Sequence, residues 1–258
     1  MQRARQDKDG GGQRGAGRAW ENPQLTEGDL GEAKETLGLR TYLREYGAEL
    51  LEAEGGVWKK EWLRHYDPDE PPDADEFQRV ELFLDAAWRT GIRNDYSSCQ
   101  AWGRTRNGYY LLGELHGKWE SPELRRRVAS FREDWARRYP SKAVALVVES
   151  AGGGMVAAQE LRDAYDFPVI DYDVKGGTKL ARSEAVTPLA EGGKVWVPDP
   201  AKAVWVRGWV QELAGFPQLP HDDRVDAASM ALQRLRSYVE PYCAVLVPAP
   251  IDWDSLPF

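Results

Sequence analysis

Cysteine, histidine and long apolar runs are what this chain has least of. Its 258 residues include two cysteines and three histidines. Cys99 and Cys243 could pair as a matter of arithmetic, but nothing here resembles a disulfide framework or a Cys-rich zinc site. His65, His116 and His221 lie far apart in the chain, which argues against zinc chemistry. No run approaches the ~18 apolar residues of a membrane span, and no signal-type apolar region follows the start. A cytoplasmic protein without a membrane partner is therefore expected. Positive charge is also short, with 34 Lys+Arg against 42 Asp+Glu and a net charge of −8. That excludes a freestanding basic DNA-coating protein, so any nucleic-acid contact must come from local patches or from a partner that holds the chain on its substrate. What is present is an ordinary globular composition, 42% hydrophobic, with enough tryptophan (11 residues) for a substantial core.

The composition changes along the chain. Residues 1–18 hold five Lys/Arg against two Asp and five Gly, with no large apolar residue after Met1, and read as a flexible, slightly basic tail. From Trp20, Thr26-Glu27-Gly28-Asp29 reads as a capping box before a helix, and Tyr42, Leu43, Tyr46, Leu50 and Leu51 mark a second helix ended by Gly55-Gly56. Six carboxylates and three prolines between Asp67 and Glu76 mark an exposed loop. From there the pattern predicts strands at Val80–Leu84, Ser97–Gly103 and Tyr109–Leu115, the last two joined through Asn107-Gly108. Ser121-Pro122-Glu123 predicts a helix start with Ser121 as its cap, and Leu124, Val128, Phe131 and Trp135 give that helix an apolar stripe. Ala143–Val148 is a fully apolar strand of the kind buried on both faces. Gly152-Gly153-Gly154 leads into a helix through Tyr165, and Pro168–Ile170 is a short strand. A helix over Thr178–Glu191, a short strand over Lys194–Val197, a helix over Ala201–Leu213 and a long final helix over Asp222–Tyr238 follow. The order predicts an α/β fold with a mixed central sheet and helices on both faces. The residues divide into the 1–18 tail, a short helical segment over 19–76, the α/β domain over 77–240 and a proline-rich arm over 241–258.

Three acidic positions stand out by location. Asp85 ends the first strand, Glu149 ends the apolar internal strand, and Asp222-Asp223 opens the last helix. A carboxylate at the end of a buried strand is costly unless it is paired or binds a metal. Neighbouring strands lie ~4.8 Å apart, so two such ends can bring their acids to one cation. An all-oxygen ligand set selects Mg²⁺ or Mn²⁺, and two such ions can clamp a phosphodiester for hydrolysis. Taking Val225, Ala228, Leu232 and Leu235 as the buried stripe of the last helix puts Asp222 nearer its flank and turns Asp223 away. Asp226 is a weaker candidate.

These residues carry a resemblance. Leu84-Asp85-Ala86-Ala87 with Asn94-Asp95-Tyr96-Ser97, Val147-Val148-Glu149 with its following glycines, Lys179-Leu180-Ala181-Arg182, Glu191-Gly192-Gly193-Lys194-Val195 and above all His221-Asp222-Asp223-Arg224-Val225-Asp226-Ala227 resemble the nuclease half of the large terminase subunit of tailed phages, a ribonuclease H-like fold. The stretch from Glu21-Asn22-Pro23 to Trp62 resembles the connection between the terminase motor and its nuclease. The resemblance implies a two-metal endodeoxyribonuclease that cuts concatemeric viral DNA during packaging, in the cytoplasm of an infected or lysogenic bacterial host. It implies Asp85 and Glu149 as metal ligands and catalytic residues and favours Asp223 as the third ligand, with Asp222 near the second ion. Double-stranded DNA, an ATPase motor, a small terminase subunit and a portal are the implied partners.

The chain also departs from that family. No G-x-x-x-x-G-K-[ST] motif occurs, and Lys175-Gly176-Gly177-Thr178-Lys179 lacks its spacing, so ATP hydrolysis by this chain alone is not expected. Lys175, Lys179 and Arg182, together with Arg89, Arg104 and Arg106 in the hairpin loops, are expected to cradle the DNA backbone without reading sequence. His221 could hydrogen-bond a ligating carboxylate or serve the helix entry. Two other readings are another ribonuclease H-like nuclease, of the junction resolvase or transposase type, and a non-catalytic packaging-motor docking module.

Overall fold

The computed structural model describes residues 56–86, 96–150, 153–175 and 177–238. The expected tail, the two helices before residue 56, Arg89, Asn94-Asp95 and the proline-rich arm lie outside the described residues.

Among the described residues, seven strands form one sheet: β1 (Arg64–Tyr66), β2 (Arg79–Asp85), β3 (Ser97–Arg104), β4 (Tyr109–Gly117), β5 (Ala145–Glu149), β6 (Val169–Tyr172) and β7 (Val195–Pro198). Their spatial order is β1-β7-β4-β3-β2-β5-β6. The β2–β3 and β3–β4 pairs are antiparallel and the others parallel, which makes the sheet mixed as the element order predicts. The helices are α1 (Ser121–Arg138), α2 (Gly153–Ala164), α3 (Lys179–Glu184), α4 (Thr187–Glu191), α5 (Trp205–Gly215) and α6 (Asp223–Arg236).

Strand alternation decides which helices cover which face. Val80, Leu82 and Leu84 of β2 pack with Leu124, Val128 and Trp135 of α1 and Ala157, Ala158 and Leu161 of α2. Phe83 of β2, Trp102 of β3 and Val147 of β5 pack on the opposite face with Trp209 and Leu213 of α5 and Val225, Ala228 and Leu232 of α6. Asp85 continues the Phe83 set and Glu149 the Val147 set, so period two turns both acids towards the α6 face. Leu84 pairs with Val148, which sets Asp85 and Glu149 one step further along two adjacent parallel strands.

Glu81 shares that face and is fully buried in the central strand. Arg234 of α6 answers it through two bonds of 2.8 and 2.9 Å, and Arg79 adds a third at 2.9 Å. A buried carboxylate with three charge-assisted donors is satisfied, and it pins the C-terminal half of α6 to the sheet.

Four details differ from the expectations. The expected 178–191 helix is two helices. Pro188 has no N–H for the Glu184 carbonyl, and the Thr187 hydroxyl donates to that oxygen instead at 3.0 Å. The expected 201–213 helix begins only at Trp205, because Asp199-Pro200 makes a turn in which the Asp199 carbonyl accepts from Lys202 and Ala203 and its carboxylate accepts from Ala201. Glu120, not Ser121, occupies the N-cap position of α1, without a side-chain capping bond, and the Ser121 hydroxyl donates to Glu160 at 3.0 Å. The 76/77 division falls inside the folded body. Strand β1 pairs with β7, Trp58 and Leu63 join the α5–α6 core, and the Trp58 indole donates to Ser183 Oγ at 2.7 Å.

Candidate active site

Three elements deliver the acids. Strands β2 and β5 end on Asp85 and Glu149. Asp222 is the N-cap residue of α6, Asp223 its first residue, and Asp226 lies one turn inside. The N-terminal end of that helix carries the positive end of its dipole and first-turn N–H groups that look outside the helix for acceptors, which makes a dense set of carboxylates tolerable there.

The acids sense one another. Burial raises the Asp85 carboxyl well above the ordinary carboxylate range, and the charges of Asp226, Asp223 and Glu149 push it further against the pull of Lys179. Burial and the Asp222 charge lift Asp223 to about 6. Asp226 is raised by burial, with Asp222 and Glu149 adding to it, although Lys179 opposes them. The chain-distant acids at 85, 149 and 222–226 thus form one electrostatic neighbourhood.

Two cations hold this cluster. Lys179 Nζ lies 2.7 Å from Asp222 Oδ1 and 2.5 Å from Asp226 Oδ2. Arg182 Nη1 lies 2.8 Å from Glu149 Oε1. Both project from α3, a two-turn helix capped by the Thr178 hydroxyl, which accepts from Ala181 N. The Lys175–Lys179 stretch is thus a capped helix entry. Buried Gln233 of α6 fixes it, accepting from Lys175 N and donating to the carbonyls of Lys175 and Arg182. Among the described residues, no three His, Cys, Asp or Glu side chains stand close enough to hold a metal ion as they are arranged. In this arrangement Asp222 and Asp226 share one ammonium and Glu149 pairs with a guanidinium. The donor set is nonetheless all carboxylate oxygen, the chemistry hard divalent cations take, and Asp85 has no side-chain cation bonded to it among the described ion pairs.

Asp226, the weaker candidate from the sequence, is first among the charges acting on Asp85, ahead of Asp223. The wheel count assumed a single buried stripe, but α6 is buried continuously from Ala227 to Gln233, so a stripe does not orient its acidic turn.

The basic residues separate into two groups. Lys179 and Arg182 lie among the acids, and Lys175, at the same sheet end, pairs with Asp173. Arg104 and Arg106 do not join them. The antiparallel register sets Arg104 opposite Arg79, while Asp85 faces Ser98 at the other end of the ladder, six residues and about 20 Å away. Arg104 is spent inside the molecule, donating to the carbonyls of Leu235 and Tyr238. Arg106 occupies the β3–β4 turn at that same far end. Neither lies beside the acids.

Beside the acids is a buried polar group the sequence reading missed. Arg224 grips Glu114 of β4 through Nε–Oε1 and Nη2–Oε2, both 2.9 Å. Glu212 of α5 accepts from the Arg224 backbone N–H at 2.8 Å and from Nη1 at 3.4 Å. Burial raises Glu114 and lifts Glu212 to about 7 against this guanidinium. His221 packs edge-on to Tyr96, which stacks on His116 at 4.7 Å, and burial with the nearby Arg224 and His221 lowers His116 to about 4.

The stretch that runs from the first of these acids through the last helix is matched by a family model. The terminase RNaseH-like domain aligns with residues 85–235, more than half of the chain. The chain belongs to this family. Solved structures give the same fold. The terminase nuclease domain of human cytomegalovirus is 17% identical at a TM-score of 0.50, over 65% of this chain and 88% of that one. The large terminase nuclease of the thermophilic phage G20c, solved with bound cobalt, is 17% identical at 0.50, over 70% and 98%. The large terminase of a second thermophilic bacteriophage, solved in complex with ADP, is 13% identical at 0.51, over 83% and 53%. The chain thus spans about half the length of that ADP-bound terminase. No curated protein sequence matches it significantly. The terminase domain identity makes the sheet ribonuclease H-like. Among the described residues, no helix is long and apolar enough to cross a membrane.

Proposed function

We propose that this terminase nuclease domain is a metal-dependent endodeoxyribonuclease that cuts concatemeric viral DNA during packaging, with Asp85, Glu149, Asp222, Asp223 and Asp226 as its metal-holding and catalytic carboxylates. The observation that carries the reading is the register that sets Asp85 and Glu149 at the ends of two adjacent parallel strands, on the face that α6 covers. The raised Asp85 carboxyl, with Asp226, Asp223 and Glu149 acting on it, is in keeping with that placement. Two divalent ions, Mg²⁺ or Mn²⁺, would supply Lewis acidity towards water and the leaving 3′ oxygen. The chain's own part is positional. Strands β2 and β5 fix Asp85 and Glu149 on a rigid sheet, and the pinned N-terminus of α6 brings the remaining acids to them. Lys175, on the same sheet end, suits backbone phosphate, whereas no base-reading element is evident among the described residues, in keeping with relaxed sequence preference. The cobalt in the G20c structure supports divalent-ion use.

A net charge of −8 opposes DNA binding by the isolated chain. The partners in this reading are double-stranded DNA, an ATPase motor supplied from outside these residues, a small terminase subunit and a portal, in the host cytoplasm. Tethering to the motor would give the nuclease its effective DNA concentration. Cutting by the chain alone should therefore be weak and strongly salt-sensitive.

Plasmid nicking in Mn²⁺ tests the reading. The wild-type chain should nick and Asp85→Asn should lose at least ~100-fold while keeping its circular dichroism spectrum. Unchanged nicking in the variant would place the chemistry elsewhere. Faster cutting of a four-way junction than of plasmid would move the substrate to the junction resolvase class, and a folded wild type with no nicking under any divalent ion would leave a docking module.

A further inference from the structure

Among the described residues, two side-chain cations, Arg182 and Lys179, pair with acids of this site, and the two are not equivalent. Arg182 is mostly enclosed, with a side chain 20% exposed, and its Nε finds no acceptor among the described residues. Lys179 is 51% exposed on its side chain yet bonds two acids from successive turns of α6.

The backbone beneath it is fixed. Thr178 caps α3, and Gln233 holds Lys175 and Arg182 through three backbone bonds. The four-carbon stem of Lys179 has solvent on one side and carboxylates on the other. One ammonium neutralises one charge, so Asp222 and Asp226 together remain net negative even when paired. A divalent ion satisfies both at once, and the ammonium it replaces has an open path to solvent.

We infer that Lys179 is an exchangeable counter-ion of the carboxylate cluster: it occupies Asp222 and Asp226 when no divalent ion is held there, and it is released to a DNA phosphate when one is. This rests on the metal-site reading above and goes beyond it, because it makes ion entry and DNA contact linked events through one residue. Lys179 acts here as a positioning residue, with no role in bond breaking. Two consequences follow from the linkage. The lysine competes with the ion, so its removal strengthens ion binding. It also gains a phosphate contact only in the ion-loaded state.

Calorimetric titration of the full 258-residue chain with Mn²⁺, without DNA, tests the first consequence. Lys179→Met should bind Mn²⁺ ~10-fold more tightly than wild type, and Lys179→Arg, which keeps the cation, should stay near wild type. In EDTA the Met variant should melt lower than wild type, because Asp222 and Asp226 then repel, and Mn²⁺ should restore it. If the Met variant fails to fold, Lys179→Gln carries the same expectation. Equal or weaker Mn²⁺ binding after removal of the cation overturns the inference while leaving the metal site intact. No Mn²⁺ binding in wild type or variants removes the metal site and this inference with it. Duplex binding tests the second consequence, with Ca²⁺ to limit cutting. The salt slope should steepen on adding Ca²⁺ by about one phosphate contact more in wild type than in Lys179→Met. Identical changes in slope would sink the transfer to phosphate.

Discussion

Arg224 joins three elements through one side chain. Its guanidinium ties α6 to β4 through Glu114, and its backbone N–H with Nη1 ties α6 to α5 through Glu212. The three side chains are 15%, 3% and 8% exposed, so their charges are compensated by one another far more than by water. Gly208 on α5 makes room, since a Cβ there would sit 3.2 Å from Arg224 Nη1. Arg224→Met would leave two buried carboxyls without their partner. It should cost about 3–5 kcal/mol in urea unfolding, the range seen when one member of a buried ion pair is removed. A loss below about 1 kcal/mol would mean that α6 is held by its apolar contacts alone. The acids at 85, 149 and 222–223 were legible because each interrupts or follows a strong pattern at an element end. Glu114 and Glu212 were not, since a single acid inside a strand or helix reads as a solvent-facing position until its neighbours are known. Asp226 was undervalued for a related reason. A wheel orients a side chain only when one face of the helix is exposed, and α6 is enclosed on most of its circumference.

At the scale of elements, the site depends on how closely α2 approaches the end of β5. The glycines after Glu149 were legible as a turn into a helix, but not how close that turn lies. A Cβ on Gly154 would fall 2.2 Å from the Glu149 carbonyl oxygen, which is backbone and cannot rotate away. Gly154→Ala should therefore displace either the first turn of α2 or the strand end that carries Glu149. The expected cost is about 1–3 kcal/mol from overpacking, with nicking falling more than stability explains, because a shift of the strand end moves a proposed ligand. Thermal melts and Mn²⁺ nicking on the same preparation separate the two effects, and an alanine variant equal to wild type in both would show that the close approach relaxes freely. Elsewhere, element type was easier to read than element ends. Pro188 and Asp199-Pro200 were visible in the sequence, yet the periodic apolar residues on either side of Pro188 bridged the break and hid it. The side-chain donor that replaces the missing backbone bond, Thr187, becomes meaningful only in three dimensions.

At the scale of the whole molecule, the sheet extends beyond the stretch that carries the family pattern. Strands β2 and β5 carry Asp85 and Glu149, and hairpin and crossover signals were enough to predict a mixed sheet but not the spatial order of its strands. Strand β1 was not, because three residues, Arg64-His65-Tyr66, show no useful alternation and follow a loop-like run. Yet they cover the outer edge of β7, the Tyr66 hydroxyl donates to the Leu111 carbonyl at 2.8 Å, and the preceding Trp58 and Leu63 are buried in the α5–α6 core. Removing them opens an unpaired strand edge and a tryptophan-sized gap against the same helices that position the acidic turn. A fragment over 77–240, the division expected from the sequence, should accordingly be less soluble and melt well below one over 56–240. Its Mn²⁺ affinity should fall too, because loosening α5 and α6 releases Asp222, Asp223 and Asp226 from β2. Equal melting temperatures for the two fragments would confine the folding unit to residues 77–240 and make β1 an accessory. Equal Mn²⁺ affinity despite a lowered melting temperature would show that the ladder from β2 to β5, with α6, holds the acids without support from the far edge of the sheet.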